Sequence, residues 1–131
     1  MASAIYPIAK KAFLDGDIDL LNDTIRAVLV DTGTYTYNVA HDFYNDLSGV
    51  VGSESGAFGS KTTTGGVFDA ADISFTAVSG ATAEAIVIFQ DTGNVATDRL
   101  IAYIDTASGL PVTPNGGDIN VAWSGSGIFS L

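Results

Sequence analysis

The sequence predicts a mainly β fold: an antiparallel β-sandwich or jelly-roll-like barrel with a short N-terminal helix and one short internal helix. Three observations carry that expectation. Beyond residue 20 the apolar residues recur mostly with a period of two rather than 3.6. The alternating runs are short and separated by clusters of Gly, Asn, Pro and Asp. Of the fifteen acidic residues all but Glu54 and Glu84 are Asp, which favours turns and caps over helix interiors.

Residues 1–15 form the exception to the period of two. Ile5, Ile8, Ala9, Ala12 and Phe13 recur at helical spacing with Lys10 and Lys11 on the other side. Ser3 can cap, Pro7 fits only a first turn, and Asp15-Gly16-Asp17 stops the pattern, so a helix is expected over about 5–14. So short a helix needs something to pack against. Residues 24–31 then read as a strand apolar on both faces, as do 83–90 and 100–105, the pattern of central strands in a covered sheet. Over 72–78, Ile73, Phe75 and Ala77 alternate inward. Ile119, Val121 and Trp123 do so over 118–124, and 128–131 reads as a closing strand. Residues 40–47 read as one or two helical turns, with Asn38 as cap and Phe43 and Leu47 in contact. Residues 48–66, rich in Gly, Ser and Thr, read as a long loop with one edge strand near 60–64.

The chain has 131 residues, the size of a single domain, and at a mean hydropathy of +0.31 it is too apolar to be disordered. Five Lys and Arg stand against fifteen acids, a formal charge of −10, which opposes binding to nucleic acid or to anionic membranes. No stretch approaches the ~20 apolar residues of a membrane span, and the first residues lack the order of a secretory signal. Without cysteine there is neither a disulfide nor a thiolate site.

The sharpest chemical motif is a repeated tripeptide. Asp31-Thr32-Gly33 and Asp91-Thr92-Gly93 each end an apolar strand, as do the paired aspartates of aspartic proteases, which share one proton. Thr34 and Asn94 follow where that family carries a small residue, and Asp105-Thr106 ends a third strand in the same way without the glycine. Turn formation by Asp and Thr accounts for all three copies. His41, beside Asp42 and Asp46, is the only histidine, and no Gly-x-Ser-x-Gly elbow accompanies it. In 56–62 Ser60 breaks the phosphate-loop spacing. Asp15, Asp17, Asp19 and Asp23 suggest calcium, yet an EF-hand counted from Asp15 would find Leu20 and Arg26 where it needs Gly and Glu. Asn22-Asp23-Thr24 fits a glycosylation sequon, which carries no meaning without a secretory signal, and Trp123 with the tyrosines could offer a sugar platform. No catalytic, cofactor or metal residue is assigned.

Taken along the chain, a set of landmarks resembles a family of small virion structural proteins of tailed bacteriophages. It begins with Ala4-Ile5-Tyr6, Phe13-Leu14 and Ile18-Asp19-Leu20-Leu21, then Val28-Leu29-Val30-Asp31 and His41-Asp42-Phe43 with Asp46-Leu47. It continues through Gly66-Val67-Phe68-Asp69-Ala70, Asp72, the run 85–89 and Leu100-Ile101-Ala102-Tyr103-Ile104-Asp105. Gly116-Gly117-Asp118-Ile119, Trp123 and Gly127-Ile128-Phe129 close it. The resemblance implies a non-enzymatic role without cofactor: a capsid decoration or cement protein on the virion surface, made in the host cytoplasm, with a tail, neck or fibre component as the rival. The implied partners are the major capsid protein and further copies of the chain, a trimer before a dimer.

Apolar residues outside the main strands are the expected contact surface, because extended apolar patches are uncommon on monomers. In the N-terminal segment these are Ile5, Tyr6, Ile8 and Phe13. In the region of residues 35–58 they are Tyr35, Tyr37, Phe43, Tyr44 and Phe58.

Overall fold

A computed structural model describes residues 3–107 and 109–131. The chain is mainly β and antiparallel. A five-stranded sheet holds β1 (Ala4–Ile5), β7 (Leu100–Ile104), β6 (Ala85–Gln90), β2 (Ile25–Val30) and β3 (Val50–Val51), in that spatial order. Two further pairs join β4 (Val67–Phe68) to β9 (Phe129–Ser130) and β5 (Ile73–Phe75) to β8 (Ile119–Val121). The five-stranded sheet stays open, with two-residue strands at both edges; short edges limit pairing with other chains.

The three long strands are buried on both faces, as their unbroken apolar sequences require. Register sorts the faces. Ala27 opposite Ile88, Leu29 opposite Ile86, and Ala102 and Ile104 opposite the same two isoleucines make one face. Val28 opposite Val87, with Tyr103 beyond it and Phe89 farther along, makes the other. Chain-internal layers cover both. Ile104 faces Trp123 and Ile128 across a cleft, and Phe58, Phe68, Trp123 and Phe129 pack ring against ring above that side. On the opposite side Tyr37 packs on Tyr103 with centroids 5.4 Å apart, and Tyr44 meets Phe89 edge-on at 4.9 Å.

The N-terminal helix α1 runs over Pro7–Asp15 with Pro7 in its first turn. Ser3 is not its cap: the Ser3 hydroxyl bonds Asp105, and Tyr6 in extended backbone takes the cap position. Gly16, at φ 79°, ends the helix; the N–H of Asp17 then reaches the Ala12 carbonyl at 2.8 Å. The internal helix shrinks to one 3-10 turn, Tyr44–Asp46. The Asn38 side chain caps Ala40 instead, and the Asp46 carboxylate accepts the N–H groups of Asp42 and Phe43.

The long loop is more ordered than its composition suggests. After β3 it stays on the edge of β2, where Ser55 and Phe58 donate their N–H groups to Ala27 and Ile25. The edge strand expected near 60–64 reduces to a single bridge between Thr62 and Asp69, followed by a 3-10 turn at Thr64–Gly66. The alternation read over 72–78 also breaks. Ala77 takes a left-handed φ of 49° and is exposed, which turns Val78 inward in its place. Trp123 is half-buried rather than enclosed.

Candidate interaction surface

Helix α1 buries a narrow stripe. Ala9 and Ala12 face the sheet, and at ~100° per residue Ile8 and Phe13 fall on the two shoulders of that stripe. Both shoulder residues are half-buried, and each opens onto a groove. On the Phe13 side a groove of about 320 Å³ is lined by Ile5, Lys10, Phe13, Leu14, Ser130 and Leu131. Leu14 is 88% exposed and Leu131 65%. On the Ile8 side a groove of about 160 Å³ includes Lys11, Phe43 and Arg99, whose guanidinium lies 5.9 Å from the centre of the Phe43 ring. Three of the five basic residues of this acidic chain, Lys10, Lys11 and Arg99, therefore flank the helix. Lys11 pairs with Asp15 and Arg99 with Asp17, while Lys10 makes no ion pair among the described residues.

The predicted surface residues divide sharply. Ile5, Ile8, Phe13 and Phe43 are half-buried beside these grooves. Tyr6, Tyr35 and Phe58, expected as leftover apolar surface, belong to the core at 0%, 1% and 5% exposure. The reason is local. The Tyr6 N–H, next after edge strand β1, bonds the Ile101 carbonyl, and its ring packs against Tyr37; the chain after β2 folds back over the sheet, and the bond from the Phe58 N–H to β2 draws that ring against Phe68 and Trp123. Tyr6 and Tyr35 share a hydrogen bond, and His41 Nδ1 meets the Tyr35 hydroxyl at 2.8 Å. Burial, then that bond with Tyr35, holds the Tyr6 hydroxyl far above the usual phenol range. Tyr37 and Tyr44 are half-buried, spending their ring faces on Tyr103 and Phe89.

Leu14 and Leu131 were missed by reading the pattern. The available signal was Leu14's position outside the apolar stripe of its own helix, where a large aliphatic side chain has no core to enter.

The other motifs are absorbed by the fold. Each D-T-G aspartate closes its own turn, Asp31 accepting the Gly33 N–H and Asp91 the Gly93 N–H, both at 2.9 Å. Because β2 and β6 are antiparallel, with Val30 opposite Ala85 and Ile25 opposite Gln90, the two aspartates stand at opposite ends of the pair. That is about 20 Å at ~3.4 Å per residue, so they form no proton-sharing dyad. The acidic cluster is likewise occupied. Asp19 accepts from Leu21 and Asn22, and the Asn22 side chain first among these bonds holds its carboxyl below the ordinary range. Asp23 accepts from Asp19 and Gln90. Among the described residues no group of three or more His, Asp or Glu converges as for a metal ion. Lys61 donates to the Asp23 carbonyl. No helix among the described residues is long and apolar enough to cross a membrane.

A further concavity lies at the end of the sheet where β2 stops, β6 starts and β7 stops. It measures about 490 Å³ and is lined by Tyr35, Tyr37 and Tyr103 together with Thr32, Thr36, Glu84, Asp105 and Pro111. No protein-family model matches the chain, and no curated protein matches it.

Proposed function

We propose that this protein is a non-enzymatic structural component of a tailed-bacteriophage virion, a decoration protein that docks on the capsid lattice and assembles with copies of itself. The observation that supports this most is the side of the molecule around α1. Leu14 and Leu131 are largely exposed beside half-buried Ile5 and Phe13, and Lys10 lines the same groove on a chain of formal charge −10. An exposed apolar patch on a small domain calls for a partner, and positive charge at that point suits an acidic one. The resemblance of landmarks along nearly the whole chain to small tailed-phage virion proteins supports the virion setting of this reading. Many copies, each with a modest contact, would sum to firm attachment on a repeating shell.

The test is binding of the purified protein to expanded, undecorated capsid shells and, separately, to purified tails. Saturable coating of shells supports the decoration role. Binding to tails alone transfers the protein to the tail or neck, and binding to neither removes the virion reading.

A further inference from the structure

Two strand edges border one trough. In β1, Ile5 pairs with Ala102, and the Tyr6 N–H next to it bonds the Ile101 carbonyl. In an antiparallel ladder that pattern turns the N–H and C=O of Ile5 away from β7. In β9, Ser130 pairs with Val67 and the Leu131 N–H bonds the Gly66 carbonyl, so the N–H and C=O of Ser130 turn away from β4. None of these four backbone groups has a hydrogen-bond partner among the described residues.

The two edges advance together. Ile5 and Ser130 line the groove of about 320 Å³ beside α1, and Ala4 and Phe129 line the next hollow, of about 130 Å³. That hollow shares Ile104 and Ile128 with the cleft of about 360 Å³ in front of Trp123. Yet no ladder joins the strands: β1 ends the five-stranded sheet, and β9 bonds β4 alone.

The chemistry of the trough selects its occupant. An extended chain carries the alternating donors and acceptors that an unpaired edge presents. A two-residue edge holds little by itself, so side-chain contact has to add to it. Ile5, Phe13, Leu14 and Leu131 supply an apolar wall, with Leu14 and Leu131 88% and 65% exposed. Lys10 stands in the same wall, without an ion pair among the described residues, on a chain of formal charge −10. A lone cation there favours an acidic residue opposite it. A helix laid in the groove would cover the apolar wall but leave the Ile5 and Ser130 backbone unmatched, because its own N–H and C=O groups bond internally.

We propose that this trough takes an extended segment of a partner protein alongside β1, with alternating apolar residues against the wall and an acidic residue at Lys10. The inference rests on the reading of the α1 side as the docking surface and names what docks there.

The probe is a blocked hexapeptide, acetyl-Asp-Val-Thr-Val-Thr-Val-amide, with one control carrying Lys for Asp and another carrying Pro for both Thr. Saturable amide shifts at Ile5, Leu14, Ser130 and Leu131 of the whole protein are expected with the acidic peptide. The Lys control should bind ~3-fold more weakly, as suits one exposed ion pair. The Pro control, without the N–H groups of its threonines, should not saturate. Ser130→Pro removes the outward N–H while sparing the Leu131 bond, and should weaken the acidic peptide ~5-fold; Ser130→Ala keeps that N–H and should change binding less than ~2-fold. If Ser130→Pro fails to fold, Lys10→Glu serves, and should reverse the preference between the acidic and Lys peptides. No saturation with the acidic peptide overturns the proposal, as does equal binding of the Pro control. Concentration-dependent protection of the Ile5 and Ser130 amides without peptide overturns it too, giving the trough to a second copy of the chain. Hydrogen exchange on coated capsid shells separates this inference from the docking role. Slowing of both amides by ~10-fold or more is expected. Coating without that protection refutes strand addition and leaves docking intact; peptide binding without coating keeps the trough and removes the capsid.

Discussion

The hydroxyl of Tyr6 lies 2.7 Å from that of Tyr35, in the core and 29 residues away along the chain. The bond ties the lead-in to α1 to the segment that leaves β2, and His41 extends it toward the surface. The three groups are unequal. Tyr35 serves two neighbours, whereas Tyr6 is fully enclosed with Tyr35 alone as its hydroxyl's partner among the described residues.

Tyr35→Phe should therefore cost more than Tyr6→Phe. The first leaves the Tyr6 hydroxyl buried and unsatisfied, for a loss of ~1–3 kcal/mol; the second leaves Tyr35 still bonded to His41. The double variant should be less damaged than the sum, because removing both hydroxyls leaves no orphan between them. Urea denaturation of the three variants measures this. Equal single losses that add would contradict the arrangement.

The two D-T-G aspartates, alike in sequence, should respond differently to loss of charge. Asp31→Asn retains an oxygen for the Gly33 N–H and should change stability by no more than ~0.5 kcal/mol. Asp91 also accepts from Arg26 Nε at 2.6 Å, with both side chains largely covered. Asp91→Asn weakens that pair and should cost ~1–2 kcal/mol more, since hydrogen bonds between charged groups exceed neutral ones. Denaturation midpoints at neutral pH provide the comparison.

Much of this fold was legible, for a physical reason. Period-two alternation and apolar runs report burial directly, so β2, β6, β7 and the β5–β8 pair fell near their predicted places. Closed turns such as Asp15-Gly16-Asp17 were legible because Gly16 has a conformation few other residues tolerate. Two-residue strands carry no periodicity, so β1, β3 and β4 could not be read as such. The predicted surface fared worse. A tyrosine in a loop looks the same whether its ring faces solvent or, like Tyr35, folds back over a sheet. The cleft was invisible because Thr32, Glu84 and Tyr103 come from three strand ends that only register brings together.

The neighbouring carboxyls of Asp42 and Asp46 should give stability an acid dependence with two opposed parts. Asp46 is held below the ordinary range, chiefly by the backbone N–H of Asp42. Its stabilisation is complete above the unfolded-state value and is lost as pH falls through the lowered folded value. Asp42 is pushed up, by burial and then by Asp46. Its contribution is present below the unfolded value and lost as pH rises through the raised folded one. Asp46→Ala should thus cost ~1 kcal/mol at neutral pH, as loss of a cap does, and flatten the acid limb. Asp42→Asn should be neutral or slightly stabilising at pH 7. Urea midpoints from pH 3 to pH 7 test both signs.

The α1 surface needs variants that separate docking from folding. Deleting residues 1–14 would not do so, because Tyr6, Ala9 and Ala12 are core residues and β1 pairs with β7. Removing them would expose the aromatic layer over Tyr103 and unfold the domain. Leu14 and Leu131 make the better probes, being largely exposed. Leu14→Glu and Leu131→Ser should shift stability by less than ~0.5 kcal/mol, since neither side chain has core packing to lose. The charge introduced at Leu14 should act on association, setting a carboxylate where the docking reading requires desolvated apolar contact and an acidic partner. Occupancy on undecorated shells should fall at least ~10-fold for Leu14→Glu, on the order of 1.4 kcal/mol per decade. Sedimentation of the same variants without shells tells which contact is lost. A smaller assembly means that the groove joins copies of the chain; unchanged assembly with lost coating means that it faces the capsid. Full coating by a folded Leu14→Glu variant would remove α1 from the docking surface.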